Sequence, residues 1–128
     1  MFLLRLLSRI PFPVLYLLSD FMYFIGYRLV GYRRKLVKKN LRNSFPEKSD
    51  EELKRIEKQF YKNLCDYVVE TLKLLTISET ELRKRMQFTN LAAVQTFFNQ
   101  GKSIIMLASH QFNWEWLVAA GSLNHPVD

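Results

Sequence analysis

Apolar and polar positions divide the chain into a dense apolar N-terminus, a basic helical stretch, a long amphipathic run, and a short apolar run that stops on a histidine. Residues 1–9 (MFLLRLLSR) are mostly apolar, with Arg5 and Arg9 on one helical face at i and i+4. Pro11 and Pro13 interrupt that pattern and start a new helix, since proline is tolerated in a first turn. Residues 14–30 (VLYLLSDFMYFIGYRLV) are strongly apolar and aromatic, broken by Asp20 and Arg28. In residues 28–42, Leu36, Val37, Asn40 and Leu41 recur at helical spacing among basic side chains.

Phe45-Pro46 ends that helix, and Ser49-Asp-Glu-Glu52 is a capping box that opens the next. Leu53, Ile56, Phe60, Leu64, Tyr67, Val68, Thr71, Leu72 and Leu75 come after it at helical spacing and predict one long amphipathic helix ending near Leu75. Ser78-Glu-Thr-Glu81 caps a short helix through Leu82 and Met86. Residues 86–88 read as an edge strand, and Asn90 as the cap of a helix running to Gln100 with Gly101 at C′. Residues 103–109 (SIIMLAS) read as a short buried strand. This alternation predicts an α/β core behind a helical, membrane-associated N-terminal region.

Charge sharpens the picture of the N-terminus. The net charge is +7, but residues 1–42 alone carry +8 and residues 43–128 carry −1. Seven of the basic residues, Arg28, Arg33, Arg34, Lys35, Lys38, Lys39 and Arg42, fall together without an acid. A basic segment directly after an apolar one implies an anionic membrane surface as partner. Nucleic acid is not expected, since the chain has no stacking platform or groove-reading motif after it. For the apolar stretch, a secretory signal fits poorly because large and basic residues stand where a small-residue cleavage site belongs. A transmembrane helix needs roughly 20 apolar residues, and an interfacial helix tolerates Asp20 more easily. Membrane attachment is therefore the expectation, spanning or monotopic, with a soluble core helix as the alternative.

Candidate chemistry is sparse. The single cysteine, Cys65, excludes an intrachain disulfide and a Cys-based zinc site, and reads as a packed structural thiol. Asp66 and Glu70 stand four apart on the long helix, where a solvated face is a better reading than a catalytic dyad. No metal site is expected, because His110, Glu115 and His125 have no recognised ligand spacing. The pair that stands out is His110 and Glu115. On one continuous helix i and i+5 lie roughly 140° apart, so the two meet only if the chain turns between them. Gln111, Phe112 and Asn113 supply that turn, with Asn113 as N-cap of a helix carrying Trp114, Glu115, Leu117, Val118 and Ala119. A carboxylate on one imidazole nitrogen leaves the other free to take a proton from a hydroxyl.

His110-Gln-Phe-Asn-Trp-Glu115, preceded by GKSIIMLAS, resembles the H-x4-D/E motif of the membrane acyltransferases. In its N-W-E form it is similar to the lipid A biosynthesis acyltransferases, which add secondary acyl chains to the lipid A precursor. YRRKLVKKNLRNSFPEKSDEE and FYKNLCDYVVETLKLL resemble the same family's N-terminal region, so the likeness covers essentially the whole chain. Phe112 departs from it, standing where many relatives have glycine. The likeness implies residues 1–45 as a membrane-anchoring and basic helical region, and residues 46–128 as the N-terminal part of an acyltransferase domain. Relatives continue beyond this point, so the 128-residue chain alone is expected to be inactive.

The activity so implied is direct transfer of a fatty acyl chain from an acyl thioester to a lipid A precursor hydroxyl. No cofactor is expected; acyl-carrier protein or acyl-CoA is the co-substrate. His110 is expected as base and Glu115 as its orienting partner, with Asn113 and Trp114 shaping the substrate pocket. Ser109 lies in no G-x-S-x-G elbow and is not expected as a nucleophile. The site is placed at the cytoplasmic side of the inner membrane. The alternatives are a lysophospholipid or aminolipid acceptor, or a non-catalytic membrane-surface module in which His110 is structural.

Overall fold

A computed structural model of the chain describes residues 2–105, 107–109 and 113–124, the side chain of Asn124 excepted. Among the described residues it is helical, with seven α-helices and one π-helical segment. They form two compact units, Met1–Thr76 and Ile77–Asp128.

The first unit begins with α1 (Phe2–Ser8) and α2 (Phe12–Tyr23), separated by Pro11 in an extended conformation. Proline disfavours helix at the preceding residue, and the chain bends there by 111°. Helix α2 runs into the π-helical segment Phe24–Val30, which Gly31 ends at a φ of 66°. That left-handed turn suits glycine because no Cβ meets the carbonyl. Helices α3 (Arg34–Ser44) and α4 (Asp50–Lys73) complete the unit. The capping box expected at Ser49 is present: Ser49 Oγ accepts from the Glu52 amide, and Glu52 Oε2 accepts from the Ser49 amide.

Helix α4 is where the unit comes together, and the face it buries is partly polar. Leu53, Glu57, Tyr61, Val69 and Glu70 are its buried residues. Phe60, Leu64, Val68 and Leu75, all in the expected apolar stripe, are exposed. Asp66 and Glu70, read as a solvated face, are instead acceptors for α2. Ser19 Oγ donates to Asp66 at 2.6 Å and Tyr16 Oη to Glu70 at 2.9 Å. Lys73 Nζ donates to the carbonyls of Ser8 and Ile10, both at 3.0 Å, and Thr76 Oγ1 to Ser8 at 2.7 Å. The carbonyls at the end of α1 need such donors, because a helix C-terminus leaves them without intrahelical partners.

The face that α1, α2 and the π-helical segment bury is therefore partly polar: Leu15 is fully buried, but much of the apolar surface lies outside. Ser8, Ser19 and Tyr27 are buried, whereas Leu6, Val14, Leu17, Phe21 and Phe24 face outward. No single helix among the described residues is long and apolar enough to cross a membrane. Phe2–Ser8 with Phe12–Val30 passes that test only as a bent pair.

In the second unit, α5 (Glu79–Arg85) starts at Ser78, whose hydroxyl accepts from the Glu81 amide. Helix α6 (Leu91–Asn99) ends in a Schellman turn: Gly101, at a φ of 67°, donates to Phe98, and Lys102 donates to Phe97. Asn90 occupies the expected N-cap position, but its φ of 67° aims no side-chain cap at the helix. Helix α7 (Trp114–Asn124) packs on α5, burying Leu82, Trp116 and Ala120, and Arg83 Nη2 donates to the Leu123 carbonyl at 2.6 Å.

The α/β expectation is overturned, because no strand occurs among the described residues. A strand exists by exchanging backbone hydrogen bonds with a neighbour. Neither the segment at Met86–Phe88 nor the apolar run has such a neighbour among the described residues. Ile105 and Leu107 are 88% and 94% exposed, so the apolar run is not a buried strand in this chain. Met106 lies outside the described residues.

Two outcomes test this architecture. Ser19→Ala removes the hydroxyl held by Asp66, and urea unfolding in mild detergent should show a loss of about 2 kcal/mol, the size of a hydrogen bond to a charged group; a change below about 0.5 kcal/mol would contradict the seam. Ser49→Ala should cost about 1 kcal/mol at pH 7. The Ser49 amide and then its hydroxyl hold the Glu52 carboxyl below its ordinary range. That contribution is complete above the unfolded-state pKa and lost as pH falls through the lower folded one. Ser49→Ala keeps the amide and removes only the hydroxyl's smaller share, so its penalty should shrink in part, and not vanish, between pH 5 and pH 3, checked by repeating the urea series across that interval.

Candidate functional site

The candidate site is built on the start of α7. Asn113 is 3% exposed, and its Oδ1 accepts from the amide of Trp116 at 3.3 Å while its carbonyl accepts from Leu117. This is the N-cap that the sequence predicts: the side chain satisfies one of the donors a helix start leaves open. Asn113 is thereby committed to helix geometry, and its amide oxygen is turned toward the backbone.

The cap sets which side chains of the first turn are buried. Trp114 is the first helical residue and is 38% exposed, while Trp116, two residues on, is buried against the α5–α7 packing. Glu115 lies between them in the first turn and is half-buried. Its charge there is favoured by the positive end of the helix dipole. Among the described residues no side chain forms an ion pair or hydrogen bond with Glu115. Its carboxylate is therefore not committed to a described structural contact.

His110, Gln111 and Phe112 lie outside the described residues, as does His125. Ser109 is exposed in irregular backbone. Of the four site residues expected from the sequence, Asn113, Trp114 and Glu115 thus share one helix start. Among the described residues no cluster of three or more His, Cys, Asp or Glu could hold a metal ion. Cys65 is half-buried, and burial, with the Asp66 charge as a smaller effect, pushes its thiol up, away from thiolate chemistry.

The sequence reading missed a second polar cluster, in the first unit. Glu57 is 1% exposed and its Oε1 accepts from Arg34 Nε at 2.9 Å. The Arg34 guanidinium lies 4.6 Å from the centre of the Tyr27 ring, and Tyr61 Oη donates to the Tyr32 carbonyl. The hydrogen bond to Glu57 holds the guanidinium above its ordinary value, and burial, then the Glu57 charge, pushes the Tyr61 phenol up. Both groups stay protonated as donors. Glu57 and Tyr61 stand at i and i+4, outside the apolar positions that define the helix stripe, which is the one trace the cluster leaves in the sequence.

Comparison with known proteins agrees with the family resemblance read from the sequence. No curated protein and no solved structure matches the chain. The family model described as bacterial lipid A biosynthesis acyltransferase matches residues 1–122, which takes in α1 and α2, the α4 seam and the whole start of α7. A match over nearly the full length, ending beyond the motif, means that the chain belongs to the bacterial lipid A biosynthesis acyltransferase family.

Proposed function

We propose that this chain carries the base and its carboxylate partner for transferring a fatty acyl chain from a thioester to a hydroxyl of a lipid A precursor. The observation that supports the reading is Glu115, half-buried in the first turn of an Asn113-capped helix and held by no described structural contact. His110 lies three residues before that cap.

In the reaction, one imidazole nitrogen of His110 takes the proton of the acceptor hydroxyl as its oxygen attacks the thioester carbonyl. The tetrahedral oxyanion then collapses, the C–S bond breaks, and the imidazolium returns its proton to the departing thiolate. Glu115 holds the other ring nitrogen and stabilises the imidazolium between the two steps. Trp114, exposed beside Glu115, offers an aromatic wall for the lipid. Asn113 serves the pocket by fixing the helix start. The thioester is acyl-carrier protein or acyl-CoA, and both proton transfers run on protein groups without a cofactor.

The same reading puts the first unit on the inner membrane, facing the cytoplasm where acyl thioesters are made. The outward apolar face of α1 and α2 supports attachment. Their hydrogen bonds to α4 favour a monotopic arrangement over a span. Helix α4 exposes Lys54, Arg55, Lys58 and Lys62, and pulling α2 through the hydrocarbon would bring these charges along.

The test is mass spectrometry of lipid A from cells lacking the enzyme and supplied with the full-length gene. The wild type should add one acyl chain. His110→Ala should lower the rate of acyl transfer by about 10²–10⁴-fold and leave the chain unadded. Glu115→Gln should keep the protein membrane-bound while also impairing transfer. Restoration by His110→Ala would remove the proposed base, and an acyl gain confined to glycerophospholipids would reassign the acceptor.

A further inference from the structure

Helices α3 and α4 line a half-open cavity of about 360 Å³ that contains none of the residues to which acyl transfer is assigned above. Arg34, Lys38 and Arg42 enter it from α3 at successive i, i+4 positions, and Asp50, Lys54 and Glu57 enter from the first turns of α4. Four cations thus face two carboxylates. Glu57 is taken by Arg34 and Asp50 by Arg42, in a pair whose carboxylate is 87% exposed to solvent. Lys38 and Lys54 have no carboxylate partner among the described residues. The cavity therefore presents two uncompensated ammonium groups, matching the charge of a phosphate group.

Its shape and position narrow the source of that phosphate. Leu41 and Leu53 give it an apolar wall, and its volume lies at the lower end of small-molecule sites, with room beyond a bare ion. Arg34, at one end, lies over Tyr27 of the π-helical segment, whose Leu29 and Val30 are exposed. A headgroup seated between α3 and α4 would have its acyl chains beside that apolar surface. We propose that this cavity binds the phosphate of an anionic lipid headgroup, with Lys38 and Lys54 as the binding cations. The proposal rests on the membrane attachment inferred above.

The test measures co-sedimentation of the full chain with phosphatidylglycerol and with phosphatidylcholine vesicles, comparing Lys38→Gln/Lys54→Gln with Lys35→Gln/Lys39→Gln. Both doubles remove two exposed charges, but Lys35 and Lys39 lie outside the cavity. Diffuse attraction to the leaflet falls equally in both. The cavity double should lose about tenfold more affinity for phosphatidylglycerol, while both bind phosphatidylcholine alike. Equal losses on phosphatidylglycerol would overturn the site and leave membrane attachment standing; no wild-type binding to either vesicle would overturn both. A second arm titrates inorganic phosphate. If phosphate binds, the cavity double abolishes that binding, and no excess loss appears on vesicles, the cavity takes a free anion and the lipid assignment falls.

Discussion

A carboxylate 1% exposed must be compensated where it lies, and Glu57 sets that requirement for the first unit. Its partner Arg34 is the first residue of α3, so the pair fixes where α3 begins relative to α4. Arg33, directly before it, holds a φ of 52°, an unfavourable conformation for a side chain with a Cβ. The chain accepts that strain because it delivers the guanidinium to both Glu57 and the Tyr27 ring. Tyr61, one turn along α4, ties down the Tyr32 carbonyl in the same turn. The junction between the apolar and the basic segments is thus held by polar contacts to a single helix.

The rest of the unit obeys the same rule. Hydrogen bonds from Tyr16, Ser19 and Lys73 tie α1 and α2 to the C-terminal third of α4, and Thr76 just beyond it adds another. A water-soluble bundle would turn Leu17, Phe21 and Phe24 inward and leave serines and tyrosines outside. Here Leu15 packs inside with Ser19 and Tyr27 while Leu17, Phe21 and Phe24 face outward, so the apolar residues of the segment are divided between the two sides. The bend at Pro11 and the π-helical stretch before Gly31 keep the apolar segment short and lying against α4.

What was legible in the sequence was local. Ser49–Glu52, Ser78, Gly101 and Asn113 each satisfy helix ends with residues a few positions away, and each lies where its spacing places it. That the expected strands do not form was not legible in the same way. Residues 103–109 announce apolar character, but a ladder needs a distant partner that no local pattern specifies. The burial face of α4 was missed for a related reason. Its apolar stripe and its polar seam lie side by side, and periodicity selects the stripe. Only the polar residues Tyr16 and Ser19 inside an apolar helix indicate that α4 is approached from its Glu57–Glu70 side. Of the site, Asn113, Trp114 and Glu115 were legible as one helix start, and His110 is tied to them by the motif alone.

That helix start also explains why a carboxylate suits position 115. A general base gains from a partner that remains charged while the imidazole takes its proton. The first turn of α7 places the Glu115 carboxylate beside the backbone amides that a helix start leaves open. Asn113 takes one of those amides, so the cap and the carboxylate divide the helix end between them. Trp116 and Ala120 are buried, so the carboxylate stands at a half-buried position beside the packed face of α7 and not on it. The proposed function joins His110, three residues before the cap in sequence, to the one carboxylate of that first turn.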